Sequence, residues 1–179
     1  MTSSLGYAIL GLLARGPLTG YDLAQRLRTP VGYFWTARHS QIYTELARLE
    51  KDRLVRHAVV PGPGPRDNKR YTVTARGRRS LRDWVVTPPA SAPPKNELLL
   101  RVYSVWLADP RQAREMLVAE QAKHLDTLGA FEQIAARNAD AEGHPDEPSF
   151  GDLATVQAGV GYERFTIAWL GWLLDHLPE

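Results

Sequence analysis

Gln41, Thr44, Glu45, Arg48 and Lys51 stand three and four residues apart, so a helix over this stretch carries them on one face. Amides and hydroxyls near the start of such a helix can hydrogen-bond base edges, while cations further along hold phosphates. This is the layout a helix needs to enter a major groove. The segment from Ser40 to Leu54 is expected to be that helix. Ile42, Leu46 and Leu49 form an apolar stripe that must be buried, and Ser40 offers a hydroxyl for the N-cap. A second group of cations, Arg66, Lys69 and Arg70, flanks a proline-rich turn, Pro61 to Pro65, and is suited to phosphates rather than bases.

No catalytic constellation accompanies these groups. The chain has no cysteine, which removes disulfides, thiolate metal sites and thiol nucleophiles together. His39, His57, His124, His144 and His176 show no two-histidine helical spacing, and no serine sits in a Gly-x-Ser-x-Gly elbow. The prolines of the 61–65 turn lack the backbone N–H groups that would cradle a phosphate. The chain is therefore expected to be no enzyme and to need neither cofactor nor metal. His124, near Leu128 and Phe131 on one helical stripe, is the one histidine that stands out.

The elements that must hold these residues follow from periodicity and punctuation. Ser3 or Ser4 caps a helix that buries Leu5, Ala8, Ile9, Leu12 and Leu13 and ends at Gly16-Pro17. Thr19 with Asp22 forms a capping box for a second helix, Tyr21 to Arg28, closed by Pro30. The loop Val31 to His39 leads into the Ser40 helix, so three short helices lie in helix-turn-helix order. Val55 to Val60 and Lys69 to Thr74 read as a hairpin, a basic wing beside those helices. Thr74 then caps a helix through Val86, with Leu81 and Trp84 facing inward. Arg76, Arg78, Arg79 and Arg82 crowd its first turns, where the helix dipole disfavours cations.

Charge divides the chain as the elements do. Residues 1–88 hold 15 Lys and Arg against 6 Asp and Glu, whereas residues 89–179 hold 7 against 14. A basic first half is the footprint of a polyanion binder, which an acidic second half would repel. The boundary is the polyproline-like stretch Thr87 to Pro94. The expected division is a DNA-binding domain over 1–86, a linker over 87–95 and a helical domain over 96–179. No apolar run reaches membrane-spanning length and no signal peptide is evident, so a cytoplasmic protein without membrane contact is expected.

The second half reads as a helix from Asn96 to Ala108, a long helix opened by Asp109-Pro110 and running to Asn138, a polar loop over Ala139 to Ser149, and a last helix from about Asp152 to Leu177. That last helix has two apolar stripes. Leu153, Val156, Val160, Ile167, Leu170, Leu174 and Leu177 form one, broken by Glu163, and Tyr162, Phe165, Trp169, Trp172 and His176 form another nearly opposite. A helix apolar on two sides needs two cores, one of them in a partner chain, which points to a two-fold homodimer. Leu99, Val102, Tyr162, Ile167, Leu170 and Leu174 are the expected interface. Tyr103, Trp106, Phe165, Trp169 and Trp172 are candidates for lining an effector pocket with Glu163 as its polar handle. The alternative is that the rings only fill core and interface, with Glu163 in a cross-dimer pair.

With these residues in place the chain resembles the PadR family of bacterial transcriptional regulators. The resemblance rests on Leu10-Gly-Leu-Leu13, on Gly16-Pro-Leu-Thr-Gly-Tyr-Asp-Leu23, and on Phe34-Trp35 ahead of Ser40-Gln-Ile-Tyr43 and Leu46-Ala-Arg-Leu49. Arg70-Tyr-Thr-Val-Thr74 with Gly77, and Lys95-Asn-Glu-Leu-Leu-Leu100 ahead of Asp109-Pro110, extend it over nearly the whole chain. It implies a homodimeric winged helix-turn-helix repressor that reads a palindromic operator in double-stranded DNA and releases it to a small aromatic or hydrophobic effector. Carried over, Ser40, Gln41, Tyr43 and Thr44 fall on the recognition helix, Tyr21 on the helix before it, and Lys69 and Arg70 on the wing. One departure is Arg53, where the family commonly has glycine. The expected fold is mostly α with a small β-hairpin wing, an N-terminal winged helix-turn-helix followed by a C-terminal α-helical dimerisation domain. A protein-interaction module with a basic face and a small-molecule carrier without DNA reading are the rival functions.

Overall fold

The computed structural model describes residues 2–27, 39–61, 68–89 and 96–178, divided between two compact units, Met1–Ala90 and Ser91–Glu179. In the first unit, α1 (Ser4–Arg15) begins where the Ser3 hydroxyl accepts the Gly6 N–H at 3.0 Å. After β1 (Leu18–Thr19), the capping box expected at Thr19 opens α2 (Gly20–Arg26): the Asp22 carboxylate accepts the Thr19 N–H at 2.9 Å, and the Thr19 hydroxyl accepts the Asp22 N–H at 3.1 Å. Then follow α3 (His39–Lys51), β2 (Val55–Val60), β3 (Asn68–Val73) and α4 (Ala75–Val85). The loop before α3, including Phe34 and Trp35, lies outside the described residues, as does the hairpin tip with Arg66.

The core is the set of apolar stripes that the periodicity marked. Ile9, Leu10, Leu13, Leu23, Ile42, Leu46, Leu49 and Val55 are almost wholly enclosed, with Tyr71 and Val73 beneath the sheet. That sheet has three antiparallel strands in the order β1-β3-β2. The sequence reading lacked β1, because a two-residue strand leaves no period to detect. Leu18 opposite Tyr71 and Thr19 opposite Arg70 tie the hairpin to the start of α2.

The end of α3 explains the departure at Arg53. Its N–H donates to the Glu50 carbonyl and the Leu54 N–H to the Leu49 carbonyl, both at 2.9 Å, and Arg53 has φ 58°. This pairing is a Schellman motif with a left-handed residue after the cap, and Leu49 and Leu54 make its apolar contact in the core. The turn keeps its glycine geometry without the glycine. Thr74 builds on it, its hydroxyl donating to the Arg53 carbonyl at 2.8 Å while accepting the Gly77 N–H at 3.0 Å. Gly77 permits that close seat, since a Cβ there would lie 2.1 Å from the Leu54 carbonyl oxygen.

Several expectations for this unit change. Glu45 does not share the outward face of α3 but is buried. The helix begins at His39, one residue early, so Ser40 lies inside its first turn rather than capping it. Trp84 is exposed by 42% instead of facing inward, one side of its ring stacked on Tyr7 with centroids 4.5 Å apart.

In the second unit, α5 (Glu97–Tyr103) gives way to a 3-10 turn over Val105–Leu107, where one helix to Ala108 was expected. The N-cap carboxylate of Asp109 and Pro110 at N1 start α6 (Pro110–Arg137). The supposed loop contains a 3-10 turn, Ala139–Gly143, and α7 (Pro148–His176) starts four residues earlier than expected, with proline at its first position. Helices α6 and α7 are each roughly 40 Å long and pack against each other antiparallel. Arg114 donates to the Leu174 carbonyl at 2.7 Å, Gln121 to the Ile167 carbonyl at 3.1 Å, and Phe131 lies on Gly159.

A left-handed residue with a side chain costs about 1–2 kcal/mol, and glycine returns part of that gain to the unfolded state. Arg53→Gly is expected to stabilise the first unit by about 0.5–1 kcal/mol, read as a higher midpoint in chemical denaturation; an unchanged or lower midpoint would show that the Arg53 side chain offsets the strain.

Candidate nucleic-acid interface

With Ile42, Leu46 and Leu49 inside, α3 shows Ser40, Gln41, Tyr43, Thr44, Ala47, Arg48 and Lys51 to solvent. The Thr44 hydroxyl donates to the Ser40 carbonyl at 3.1 Å, leaving its oxygen able to accept. The Tyr43 ring lies against Gly20 at the start of α2. Beside it Tyr21 is 63% exposed, its phenol oxygen accepting the Gln25 amide at 2.9 Å. Tyr43 thus joins the polar end of α3 to the start of α2, with Arg48 and Lys51 further along α3.

The wing carries its described cations on the paired strands β2 and β3. Lys69 and Arg70 are both exposed, but neighbours in a strand point to opposite sides. Lys69, opposite Val59, shares the side of the buried Tyr71 and Val73; Arg70, opposite Ala58, shares the other side with Thr72 and Arg56. Arg56 is a cation that the sequence reading missed. The alternation of β2 contained the signal, but only the register against β3 puts it two rungs from Arg70 on one surface.

Charge couples the wing to α2. Asp22 is held below the usual carboxylate range, chiefly by the Thr19 backbone N–H, next by the Thr19 hydroxyl, and further by Arg26 and Arg70. On the other side of the sheet, His57 Nδ1 and a Glu50 carboxylate oxygen are 2.5 Å apart, joining β2 to the end of α3. Tyr71, tilted against the His57 ring, has its phenol pKa pushed up by burial first, then by Glu50 and Tyr43. These contacts hold helix and hairpin in one frame.

The second unit leaves most of the aromatic candidates exposed. Tyr103 and Trp106 are exposed by 84% and 78%, and Phe165 and Trp172 stand exposed on α7, while Trp169 packs against the cluster of Leu117, Leu170 and Leu173. Glu163 is buried as expected, but it is paired with His124 Nδ1 of the same chain. Of the residues expected at a dimer interface, Leu99 and Tyr162 are exposed. Leu170 is wholly enclosed and Val102 and Leu174 pack on its cluster, so these three line the chain's own core side, while Ile167 is half-buried. Among the described residues no group of three or more His, Cys, Asp and Glu could hold a metal ion, and no helix is long and apolar enough to cross a membrane.

Residues 9–83 match the transcriptional regulator PadR-like family and residues 94–177 the virulence activator alpha C-terminal family. The chain is 31% identical to the negative transcriptional regulator PadR of Bacillus subtilis, over 98% of each chain. The crystal structure of that protein with operator DNA superposes with a TM-score of 0.87 at 28% identity, covering 97% of this chain and 98% of the other. Its structure with p-coumaric acid gives 0.76 at the same identity, over 96% of each.

A depressed carboxylate stabilises the fold above its unfolded pKa, near 4, and loses that contribution as pH falls through the folded value. Asp22→Asn is therefore expected to melt below the wild type at pH 7, and the gap should close as pH is lowered from about 4 toward 2; a gap independent of pH would mean that the amide serves the capping box equally well.

Proposed function

Because this chain belongs to the PadR-like family of transcriptional regulators, we propose that it is a homodimeric repressor that reads a palindromic operator and releases it to a small aromatic or hydrophobic effector. The observation that carries this is the end-to-end likeness to the Bacillus subtilis regulator known with operator DNA and with p-coumaric acid. In this reading Gln41 and Thr44 meet base edges, and Ser40, Tyr43 and Tyr21 flank them. Arg48, Lys51, Arg66, Lys69 and Arg70, with Arg56, hold phosphates. The protein acts where chromosomal DNA is, in the cytoplasm, by binding rather than by catalysis.

Residues 1–86 are then the DNA-binding domain and 96–179 the dimerisation domain, joined by 87–95. The exposed rings favour this. Tyr162, Phe165 and Trp172 line one side of α7, and Leu99, Leu100, Tyr103, Trp106 and Leu107 stand exposed on α5 and the turn after it, more apolar surface than a monomer ordinarily leaves in water. A two-fold partner covering these rings would present α3 twice, ideally about 34 Å apart. Flat ligands fit between rings of this kind.

The test is binding to a duplex from the DNA upstream of the protein's own coding region, titrated in salt against an unrelated duplex. Each neutralised phosphate is expected to contribute a slope of about −0.9 to log affinity against log salt. Arg70→Ala should weaken binding to both duplexes alike and reduce that slope by about one, whereas Gln41→Ala should remove about 1–3 kcal/mol of discrimination and leave the slope unchanged. A salt-independent interaction, or equal effects from the two variants, would contradict the assigned roles.

A further inference from the structure

Gly20 opens α2 directly after the capping residue Thr19 and is buried. Nothing in its backbone calls for glycine, since its φ lies outside the left-handed region. In a helix, alanine is the better residue, because glycine loses more conformational freedom on folding. What excludes a side chain is α3. A Cβ on Gly20 would lie 2.6 Å from Tyr43 Cε1, 2.9 Å from Cζ and 3.0 Å from the phenol oxygen. All three atoms belong to the polar end of the ring, so the phenol of Tyr43 is seated on the bare Cα of Gly20.

Tyr43 is between Gln41 and Thr44, in the part of α3 whose outward groups are to read bases, and it is itself 45% exposed. Its ring therefore has one edge in the packing between α2 and α3 and the other toward solvent. Any side chain at position 20 displaces the ring by about 1 Å, judged from ordinary carbon contact distances. It either swings the phenol outward or pushes the start of α3 from α2.

We propose that Gly20 is a specificity-determining position: by seating the Tyr43 ring it sets where the reading face of α3 stands, so it acts on discrimination between DNA sequences without touching DNA. This rests on the DNA reading proposed above and adds to it a positioning residue outside the contact surface. With the ring gone, alanine at position 20 has no clash and keeps its helical preference, so the two positions must be non-additive.

The experiment begins with selection of preferred duplexes from a randomised pool by the full-length wild-type protein. Affinity for the selected duplex and for an unrelated one is then measured for wild type, Gly20→Ala, Tyr43→Ala and the double variant, with thermal melting of each. Gly20→Ala is expected to lower the ratio of selected to unrelated affinity at least fivefold, and to do nothing further to that ratio in the Tyr43→Ala background. Its melting temperature should fall in the wild-type background and stay level or rise in the other. If Gly20→Ala fails to fold only when Tyr43 is present, the clash is established by that contrast; if it fails to fold in both backgrounds, the seat is not what requires glycine and the proposal falls. A retained ratio in Gly20→Ala, with the wild type discriminating, overturns the proposal alone. A wild type that enriches no sequence overturns the DNA reading and the proposal with it.

Discussion

Burial of Ile42, Leu46 and Leu49 decides which side of α3 meets the outside. Each is at most 1% exposed, and turning the helix by one residue, about 100°, would bring these side chains toward water at a cost of about 1.5–3 kcal/mol each. The helix is thereby fixed in rotation. Gln41, Thr44, Arg48 and Lys51 face outward as a consequence of what faces inward, and everything else in the first unit adjusts tilt and position around that constraint. Regulators of transcription need such a helix to be rigid before it meets DNA, because base edges are read by hydrogen bonds that tolerate little misplacement.

Both ends of this helix are fastened to other elements. At its C-terminal end the Schellman turn of Arg53 and Leu54 receives Thr74 and Gly77, so α4 starts on the carbonyls where α3 stops. At the other end Tyr43 rests on Gly20. Between them, Glu50 with His57 and the paired strands keep the hairpin in register with the helix. The pleat divides Lys69 and Arg70 between two faces, Lys69 on the side of Tyr71 and Arg70 on the side of Arg56.

The second unit solves a different problem. Two helices of roughly 40 Å have to stay in register along their length, and apolar contact alone is tolerant of sliding. Two apolar clusters, one around Leu117 and Leu170 and one around Phe131 and Val156, lie on either side of the His124–Glu163 pair. A buried polar pair adds little stability compared with apolar packing, but it penalises any shift that separates its members. Gln121 and Arg114, which donate to carbonyls of α7, penalise sliding in the same way. The rings of Phe165 and Trp172 are left on the opposite side of α7, consistent with a helix that serves two cores, while Tyr162 at the flank has its ring edge against His124.

Most elements were legible in the sequence because they depend on local physics: the capping box at Thr19 and Asp22, the N-caps at Thr74 and Asp109, the β-branched run Val55 to Val60, and the apolar spacing of α1, α3 and α7. Family membership was legible for a related reason, since motifs such as Gly16-Pro17-Leu-Thr-Gly-Tyr are those same local devices in a fixed order. What only the tertiary structure decided involves residues distant in the chain. β1 exists because β3 pairs with it, Arg56 joins Arg70 through strand register, and Glu45 is buried although its helical spacing fits either side of the stripe. Leu170 belongs to the chain's own core because α6 covers it, and Glu163 meets His124 because the two long helices pair in one register. Periodicity states which faces of an element are apolar; it does not state which neighbour covers each face, because that is settled by contacts between segments that local sequence does not encode.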